Sequence, residues 1–291
     1  MDDTIQQPQQ QQQAAIPKPS LFSSRKFLYI AILAIIVVIA VALLLTGTGG
    51  GGTSPLVQFD NQPVPQSLLA QLSIPSNVSA SVRTGFATNF PAKIANATPL
   101  TLNGKPEVLY IGAEFCPYCA MQRWALVIAL MRFGNFTGLE YMTSSAVDAG
   151  PNTPTFTFVN ATYSSPYIAF VSRELTNNKV NASTGQYTQL QQMNASQQAL
   201  YAKYNPSGSI PFTDYANVSK LVGANYNDPT ILAGMNWSQI AAALHDPSTA
   251  QAQAFVGSAN LVTAQICALD NNTPASVCGQ SYIKSIESQL G

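Results

Sequence analysis

Charged side chains are unusually scarce in this chain. Its 291 residues include 13 Lys and Arg and 13 Asp and Glu, so that 9% are charged and the net charge is zero, whereas about 25% is usual in soluble domains. Nucleic-acid recognition needs a basic patch or stripe. The chain has none, and we expect no nucleic-acid partner. The single histidine, His245, lies near a predicted helix end, where a capping or surface role is favoured over catalysis.

One long apolar run stands apart from the rest of the chain. Residues 27–46 carry no charge, and a helix of this length spans about 30 Å, the thickness of a bilayer's hydrocarbon core. Lys18, Arg25 and Lys26 precede it, so the positive-inside rule places the glutamine-rich, low-complexity tail, residues 1–26, in the cytoplasm. We expect an uncleaved single-pass anchor in the lipid bilayer. A signal peptide is the alternative, although its apolar region is usually about 7–15 residues.

Everything after this anchor is predicted to be extracytoplasmic. Residues 47–55 read as a glycine-rich linker, and residues 56–291 are enough for one large domain. Nine Asn-X-Ser/Thr sequons in this ectodomain indicate N-glycosylation; a polar surface with incidental matches is the alternative. The favoured glycosylation sites are Asn77, Asn96, Asn160, Asn181, Asn194, Asn217 and Asn271, whereas Asn135 and Asn236 lie beside apolar residues. The low charge further suggests an acidic exterior, in which carboxylates are protonated.

Cysteine is also scarce, and two of the four cysteines form the segment Cys116-Pro117-Tyr118-Cys119. This segment lies where an apolar strand, Val108 to Phe115, meets an apolar helix, Ala120 to Phe133. Proline is tolerated in a first helical turn. The helix start offers unpaired N–H groups and the positive end of the dipole, which stabilise a thiolate. Because the thiolate attacks disulfides, the pattern predicts thiol–disulfide chemistry; a small structural disulfide is the alternative.

The rest of the ectodomain alternates strands and helices, with no internal repeat. Capping boxes are predicted at Thr188 with Gln191 and at Asn236 with Gln239. The element order is β-α-β, an insertion at about 146–187 that could be a lid or a substrate platform, then α-β-β-α and further helix, which favours an α/β sandwich. The predicted elements after the cysteine-bearing helix are strands at 139–145, 156–160, 167–174, 209–212 and 220–223, and helices at 189–204, 237–244, 248–269 and 276–290.

These residues resemble the thioredoxin superfamily. The approach Ala113 to Cys116, the C-x-x-C at a helix start and the later Ile210-Pro211 before a strand pair carry the resemblance. It implies a thioredoxin-like sandwich in which Cys116 is the nucleophile, Cys119 resolves the mixed disulfide and Pro211 follows a cis peptide bond. Pro117 and Tyr118 would tune the potential, and CPYC is the glutaredoxin version of the motif. Phe115 stands where tryptophan is usual.

The chain departs from that superfamily behind the motif. The buried acidic residue of thioredoxins falls at Tyr110, and Glu114 could replace it only if its side chain turned inward. More widely, residues 25–291 resemble an archaeal family of membrane-anchored, thioredoxin-like proteins whose function is only inferred. The shared features are the anchor, the stretches FCPYC, SIPF and VGANY, and the IC…VC pair near the end.

The other two cysteines, Cys267 and Cys278, fall near a predicted helix end and the next helix start. Outside the cell an even cysteine count favours pairing, so we expect a structural disulfide; a second redox pair is the alternative. A zinc site using all four cysteines needs a joint geometry that these spacings do not support. We expect no metal and no cofactor.

The sequence therefore favours a membrane-anchored, extracytoplasmic thiol–disulfide oxidoreductase. Its partners would be exported, cysteine-containing proteins and a membrane redox partner. The alternatives are a thioredoxin-like binding module with a permanent C-x-x-C bridge and, less favoured, a glycosylated envelope component. The reactivity of Cys116 distinguishes the enzyme from both.

Overall fold

The computed structural model describes residues 54–290. The predicted tail, the anchor at 27–46 and residues 47–53 of the linker lie outside the described residues. Within 54–290 the helical stretch Ala252–Leu269 is long and apolar enough to cross a bilayer, but 83% of it is buried inside the domain. It is therefore a core helix of this domain.

The described chain alternates short strands with helices. The helices are α1 (Gln66–Gln71), α2 (Ser76–Val82), α3 (Pro117–Leu130), α4 (Ala195–Tyr204), α5 (Trp237–Ala243), α6 (Gly257–Leu269), α7 (Ala275–Cys278) and α8 (Ser281–Glu287). The strands are β1 (Ala92–Lys93), β2 (Thr101–Leu102), β3 (Lys105–Gly112), β4 (Asn135–Thr137), β5 (Glu140–Thr143), β6 (Pro154–Thr157), β7 (Thr162–Ser164), β8 (Ala169–Glu174), β9 (Thr176–Val180), β10 (Tyr187–Gln189), β11 (Phe212–Tyr215) and β12 (Ser219–Val222).

A six-stranded mixed sheet forms the centre of the domain. Its order is β1-β12-β11-β3, and β3 also pairs with β8 and, at its first two residues, with β2. Strand β8 runs parallel to β3, and β11 runs antiparallel to it with Phe212 opposite Ile111. Helices and a mixed sheet make this an α/β fold, so the coarse prediction of fold class is confirmed.

Strand β3 separates the two apolar cores, because successive side chains of a strand point to opposite faces. Val108 and Tyr110 belong to the larger core with Trp124 of α3. Leu109 and Ile111 belong to a smaller core that is closed by partly buried residues of α4, among others. In α3 every side chain except Tyr118 is buried, as expected for a helix that is apolar around most of its circumference.

The segment 146–187, predicted to be an insertion, contains a strand of the central sheet. Strand Ala169–Glu174, which lies inside that range, is the parallel neighbour of β3 in the central sheet. The strand predicted at 139–145 pairs instead with Pro154–Thr157 in a separate two-stranded sheet. Both segments are apolar and strand-like, so their local patterns could not tell which one enters the sheet. Strands β4 to β7 and the β9–β10 hairpin lie outside the six-stranded sheet.

The helix caps and the C-terminal helices also differ in part from prediction. The capping box at Asn236 and Gln239 is confirmed, but the one before α4 is formed by Asn194 and Gln197. The long helix predicted at 248–269 begins as a π-helical segment over Ala252–Val256 and continues as α6. The last predicted helix is divided into α7 and α8.

Candidate functional site

Cys116 is the N-cap of α3, at the carboxyl end of the central strand. Its backbone is extended, and its sulfur accepts a hydrogen bond from the Cys119 N–H at 3.2 Å. Pro117 occupies the first turn of the helix and is buried. Both cysteines are free thiols, and both are buried. The geometry places Cys116 where the helix terminus can stabilise negative charge on its sulfur.

The two thiols differ strongly in acidity. The pKa of Cys116 lies below its usual value, above all because the Cys119 side chain hydrogen-bonds to it. The N–H groups of Cys119 and Tyr118 and the charge of Arg123 lower it further, against the opposing effect of burial. Burial raises the pKa of Cys119 well above its usual value. Cys116 is therefore the better nucleophile, and Cys119 is the protonated neighbour.

Ile210 and Pro211 lie beside the first cysteine although they are more than ninety residues later in the chain. The sulfur of Cys116 is 3.9 Å from the Ile210 carbonyl oxygen, and the Ile210-Pro211 peptide bond is cis, as the resemblance implies. Antiparallel pairing of β11 with β3, with Phe212 opposite Ile111, brings them there. Ile210 is half-buried and Pro211 is buried.

Aromatic and aliphatic side chains form a rim near the cysteines. The ring of Phe115 stacks on Tyr187 of the β9–β10 hairpin, with ring centres 4.3 Å apart and planes within 5°. Tyr118 is 38% exposed and Val147 is 76% exposed. The loop that carries Val147 is tied to the motif by a hydrogen bond from the Ser145 N–H to the Phe115 carbonyl. An uncharged, partly exposed surface of this kind suits contact with apolar segments of another polypeptide.

A buried ion pair lies below the cysteines. Arg123 of α3 donates to both carboxylate oxygens of Glu174, from Nε at 2.8 Å and from Nη2 at 2.7 Å, and both side chains are 0% exposed. The same Nη2 donates to the Ala113 carbonyl at 2.6 Å. Ala113 precedes the motif, and its carbonyl also accepts the Cys116 N–H at 3.3 Å. The guanidinium is thus connected to the turn that carries Cys116.

Glu114 turns inward, as it must if it is to replace the buried acidic residue of thioredoxins. It is 3% exposed and accepts a hydrogen bond from the Thr157 hydroxyl at 2.6 Å. Burial raises the pKa of its carboxyl to about 7, and the charge of Glu174 adds to that rise, while Thr157 and Arg123 oppose it. Tyr110 occupies the position of the acidic residue that thioredoxins bury. Its side chain is fully buried, and the Arg123 guanidinium carbon lies 6.0 Å from the centre of its ring.

The second pair of cysteines is separate from this site. Cys267, in the last turn of α6, is bonded to Cys278 of α7, and both are buried. The predicted disulfide is therefore confirmed. It joins two C-terminal helices and leaves Cys116 and Cys119 as the free thiols among the described residues.

The sequon asparagines are mostly accessible. Asn217 is the exception, because it is half-buried and its Nδ2 donates to the Thr98 carbonyl at 2.9 Å. Asn135 and Asn236 are also exposed, because the apolar residue that follows each of them is buried in the domain instead. The other exposed sequon asparagines are Asn77, Asn96, Asn160, Asn181, Asn194 and Asn271. Glycosylation of these residues stays a prediction.

Sequence reasoning missed Arg123, Glu174 and Tyr187. A signal for Arg123 was present, because a charged residue inside a helix predicted to be buried needs a partner. Nothing in the sequence indicated that Glu174 is that partner, since the two residues meet only through the parallel pairing of β8 with β3. Tyr187 reaches Phe115 through the β9–β10 hairpin, a contact that has no local signature.

Comparison with known proteins adds a family but no activity. The family model described as "Domain of unknown function (DUF929)" matches residues 91–268, which is more than half of the chain and includes both Cys116 and Pro211. No curated protein and no solved structure matches the chain.

Proposed function

We propose that this chain, which belongs to the DUF929 family, is a membrane-anchored thiol–disulfide oxidoreductase that acts on exported proteins. The observation that carries the proposal is the asymmetric cysteine pair at the start of α3. Cys116 is held at the helix N-cap with a lowered pKa, and Cys119 is buried with a raised one. Such a difference between two neighbouring thiols is typical of a nucleophilic and a resolving cysteine.

The topology around the motif supports a thioredoxin-like fold. Strand β3 leads directly into the motif, the parallel strand β8 flanks it on one side, and the pair β11–β12 flanks it on the other. The pair begins directly after Ile210-Pro211, as in the resemblance that the sequence indicates. The membrane anchor at 27–46 and the extracytoplasmic location belong to the same proposal and are supported by the apolar run and its basic flank.

The proposed reaction exchanges two electrons and two protons. The Cys116 thiolate attacks a substrate disulfide, so that a Cys116–substrate bond forms and the second substrate sulfur leaves as a thiolate and takes up a proton. Cys119 then loses its proton and attacks the Cys116 sulfur, which forms the Cys116–Cys119 disulfide and releases the other substrate thiol. The same steps in reverse oxidise a substrate dithiol. A membrane dithiol or disulfide partner would restore the starting form.

The rim near Cys116 would contact the substrate polypeptide. Phe115, Tyr118, Val147 and Tyr187 offer apolar surface without a charged side chain among them. Segments of unfolded exported proteins expose apolar residues beside their cysteines, so this rim suits them. In this proposal the β9–β10 hairpin serves as a substrate platform, one of the two roles that the sequence suggests for the 146–187 segment.

The reduction potential of the Cys116–Cys119 pair tests the proposal. The full chain in detergent would be equilibrated in graded glutathione buffers, its thiols trapped by alkylation and the products read by mass. A value between about −120 and −270 mV lies in the range of redox enzymes, whereas a pair that stays oxidised below about −300 mV behaves as a structural bridge. The second result would favour the binding module over the enzyme.

Covalent trapping tests the roles of the two cysteines. Cys119→Ser removes the resolving thiol, so mixed disulfides with substrates are expected to accumulate. Cys116→Ser is the matched control and is expected to trap nothing. Non-reducing gels followed by mass spectrometry would show the adducts. Equal trapping by both variants would reject the assigned roles.

A further inference from the structure

The Arg123–Glu174 pair is unusual for its place in the fold. It joins the cysteine-bearing helix α3 to the end of β8, with both side chains fully excluded from solvent. Burying two charges costs several kcal/mol per ion before their attraction is counted, and apolar replacements are often as stable or more stable. Fold stability is therefore a weak reason for the pair, and a role in the neighbouring chemistry is a stronger one.

The position of the guanidinium connects it to both cysteines. Arg123 is four residues after Cys119, which places it one turn deeper, about 6 Å along the axis and on the same face of α3. Its Nη2 holds the carbonyl of Ala113, the same carbonyl that accepts the Cys116 N–H. Its Nη1 makes no hydrogen bond to any group of residues 54–290. The two N–H bonds of this amino group are thus left without a partner among those residues.

We propose that Arg123, held in place by Glu174, is the positioning residue of the dithiol: its buried charge stabilises the Cys116 thiolate, and its bond to Ala113 fixes the turn that carries Cys116. This inference deepens the proposed function and rests on it. Glu174 orients the guanidinium by two hydrogen bonds and partly neutralises it. The carboxylate therefore limits how strongly the cation acts on the sulfur.

The surroundings contain few other groups that could take this role. The titratable side chains that face the pair or the cysteines are Tyr110 from β3, Glu114 from the turn after it, and Tyr201 from α4. Burial raises the pKa of each of these three groups, that of Glu114 to about 7, so all three favour their neutral forms below that pH. Arg123 is then the cation that acts on both thiols, and it lowers the pKa of Cys116.

The test compares variants that change the charge in opposite directions. Replacing Arg123 and Glu174 together by Met removes the cation without leaving an unpaired buried charge. Glu174→Gln keeps an oxygen that can accept from the guanidinium but no longer neutralises it. Arg123→Lys keeps the charge. Arg132→Met is the matched control, because Arg132 lies beyond the far end of α3 and bonds Thr263 and Ser79 instead.

The readout is the pH profile of Cys116 alkylation by iodoacetamide in the full chain, followed by peptide mass spectrometry. At a pH below the Cys116 pKa we expect an alkylation rate about tenfold lower in the double Met variant, as for loss of a nearby opposite charge. We expect a faster rate in Glu174→Gln and an unchanged rate in the control. Arg123→Lys should give a rate between those of the wild type and the double Met variant, because it keeps the charge and loses the forked hydrogen bonds. Thermal unfolding of each variant would show that it is folded.

Two outcomes would overturn the inference. The first is a folded double variant with the wild-type pH profile. The second is slower Cys116 alkylation in Glu174→Gln, because a purely structural pair would slow the reaction in every variant. This second outcome also serves as the test if the double variant does not fold. Trapping by Cys119→Ser is measured in parallel. If Cys119→Ser traps substrates but the pH profiles of Cys116 alkylation are not shifted in the variants, only the role of Arg123 is rejected. If the profiles are shifted but no substrate is trapped, only the proposed function is rejected.

Discussion

Glu114→Gln is expected to remove a large part of the pH dependence of stability. The Glu114 carboxyl is almost fully buried, and its pKa is raised from 4.5 to about 7 by burial. Between these two values the folded chain holds a proton that the unfolded chain has lost. Because the folded state binds more protons there, its free energy of unfolding falls as the pH rises from about 4.5 to about 7 and changes no further above that.

The size of this effect follows from the two pKa values. One pH unit corresponds to about 1.4 kcal/mol, so Glu114 accounts for a loss of about 3 kcal/mol across the window. Glutamine resembles the protonated acid, and it retains the oxygen that accepts from the Thr157 hydroxyl. The variant should therefore match the wild type near pH 4 and exceed it by about 3 kcal/mol at pH 8.

Urea unfolding of the full chain in detergent at pH 4 to 8 would measure this difference. Asp214→Asn is an independent comparison, because burial raises the pKa of Asp214 from 3.8 to about 7 in a different strand, β11. A difference between wild type and Glu114→Gln that stays constant with pH would refute the assignment. Both carboxyls favour the folded state in acid, which agrees with the acidic exterior that the scarcity of charge suggests.

Three further predictions concern the hairpin beside the site, the C-terminal disulfide and the sequons. Tyr187→Ala should lower kcat/KM for a protein substrate several-fold and leave the alkylation of Cys116 unchanged. The control is Leu102→Ala, which changes an exposed apolar residue of β2 beside the start of β3 and should affect neither quantity. Equal losses of kcat/KM in both variants would contradict a substrate platform. Replacing Cys267 and Cys278 by Ala opens a loop with a sequence separation of 11 and should cost about 3 kcal/mol of unfolding free energy without changing the potential of the other pair; a changed potential would indicate a redox relay. Glycopeptide mapping should find Asn217 the least occupied sequon, and full occupancy there would contradict the accessibility argument.

Local sequence determined the part of the site that lies within one segment. A β-branched and aromatic strand, a proline in the first turn and an apolar helix are properties of consecutive residues, so the N-cap position of Cys116 could be predicted. The cap at Asn236 depends only on Gln239 three residues later, and it was also predictable. The pairing of Cys267 with Cys278 followed from a short separation and an even cysteine count.

Tertiary structure decided everything that needs two distant segments to meet. Residues 139–145 and Ala169–Glu174 both have the composition of a strand, so composition does not decide which of them pairs with β3. Long-range pairing selects Ala169–Glu174. That choice places Glu174 against Arg123 and so puts a compensated cation below the cysteines. The same physical reason applies to Tyr187 on Phe115. The sequence by itself determined the helix start that holds Cys116 and Cys119, and only the packing of strands decided which charges and surfaces surround it.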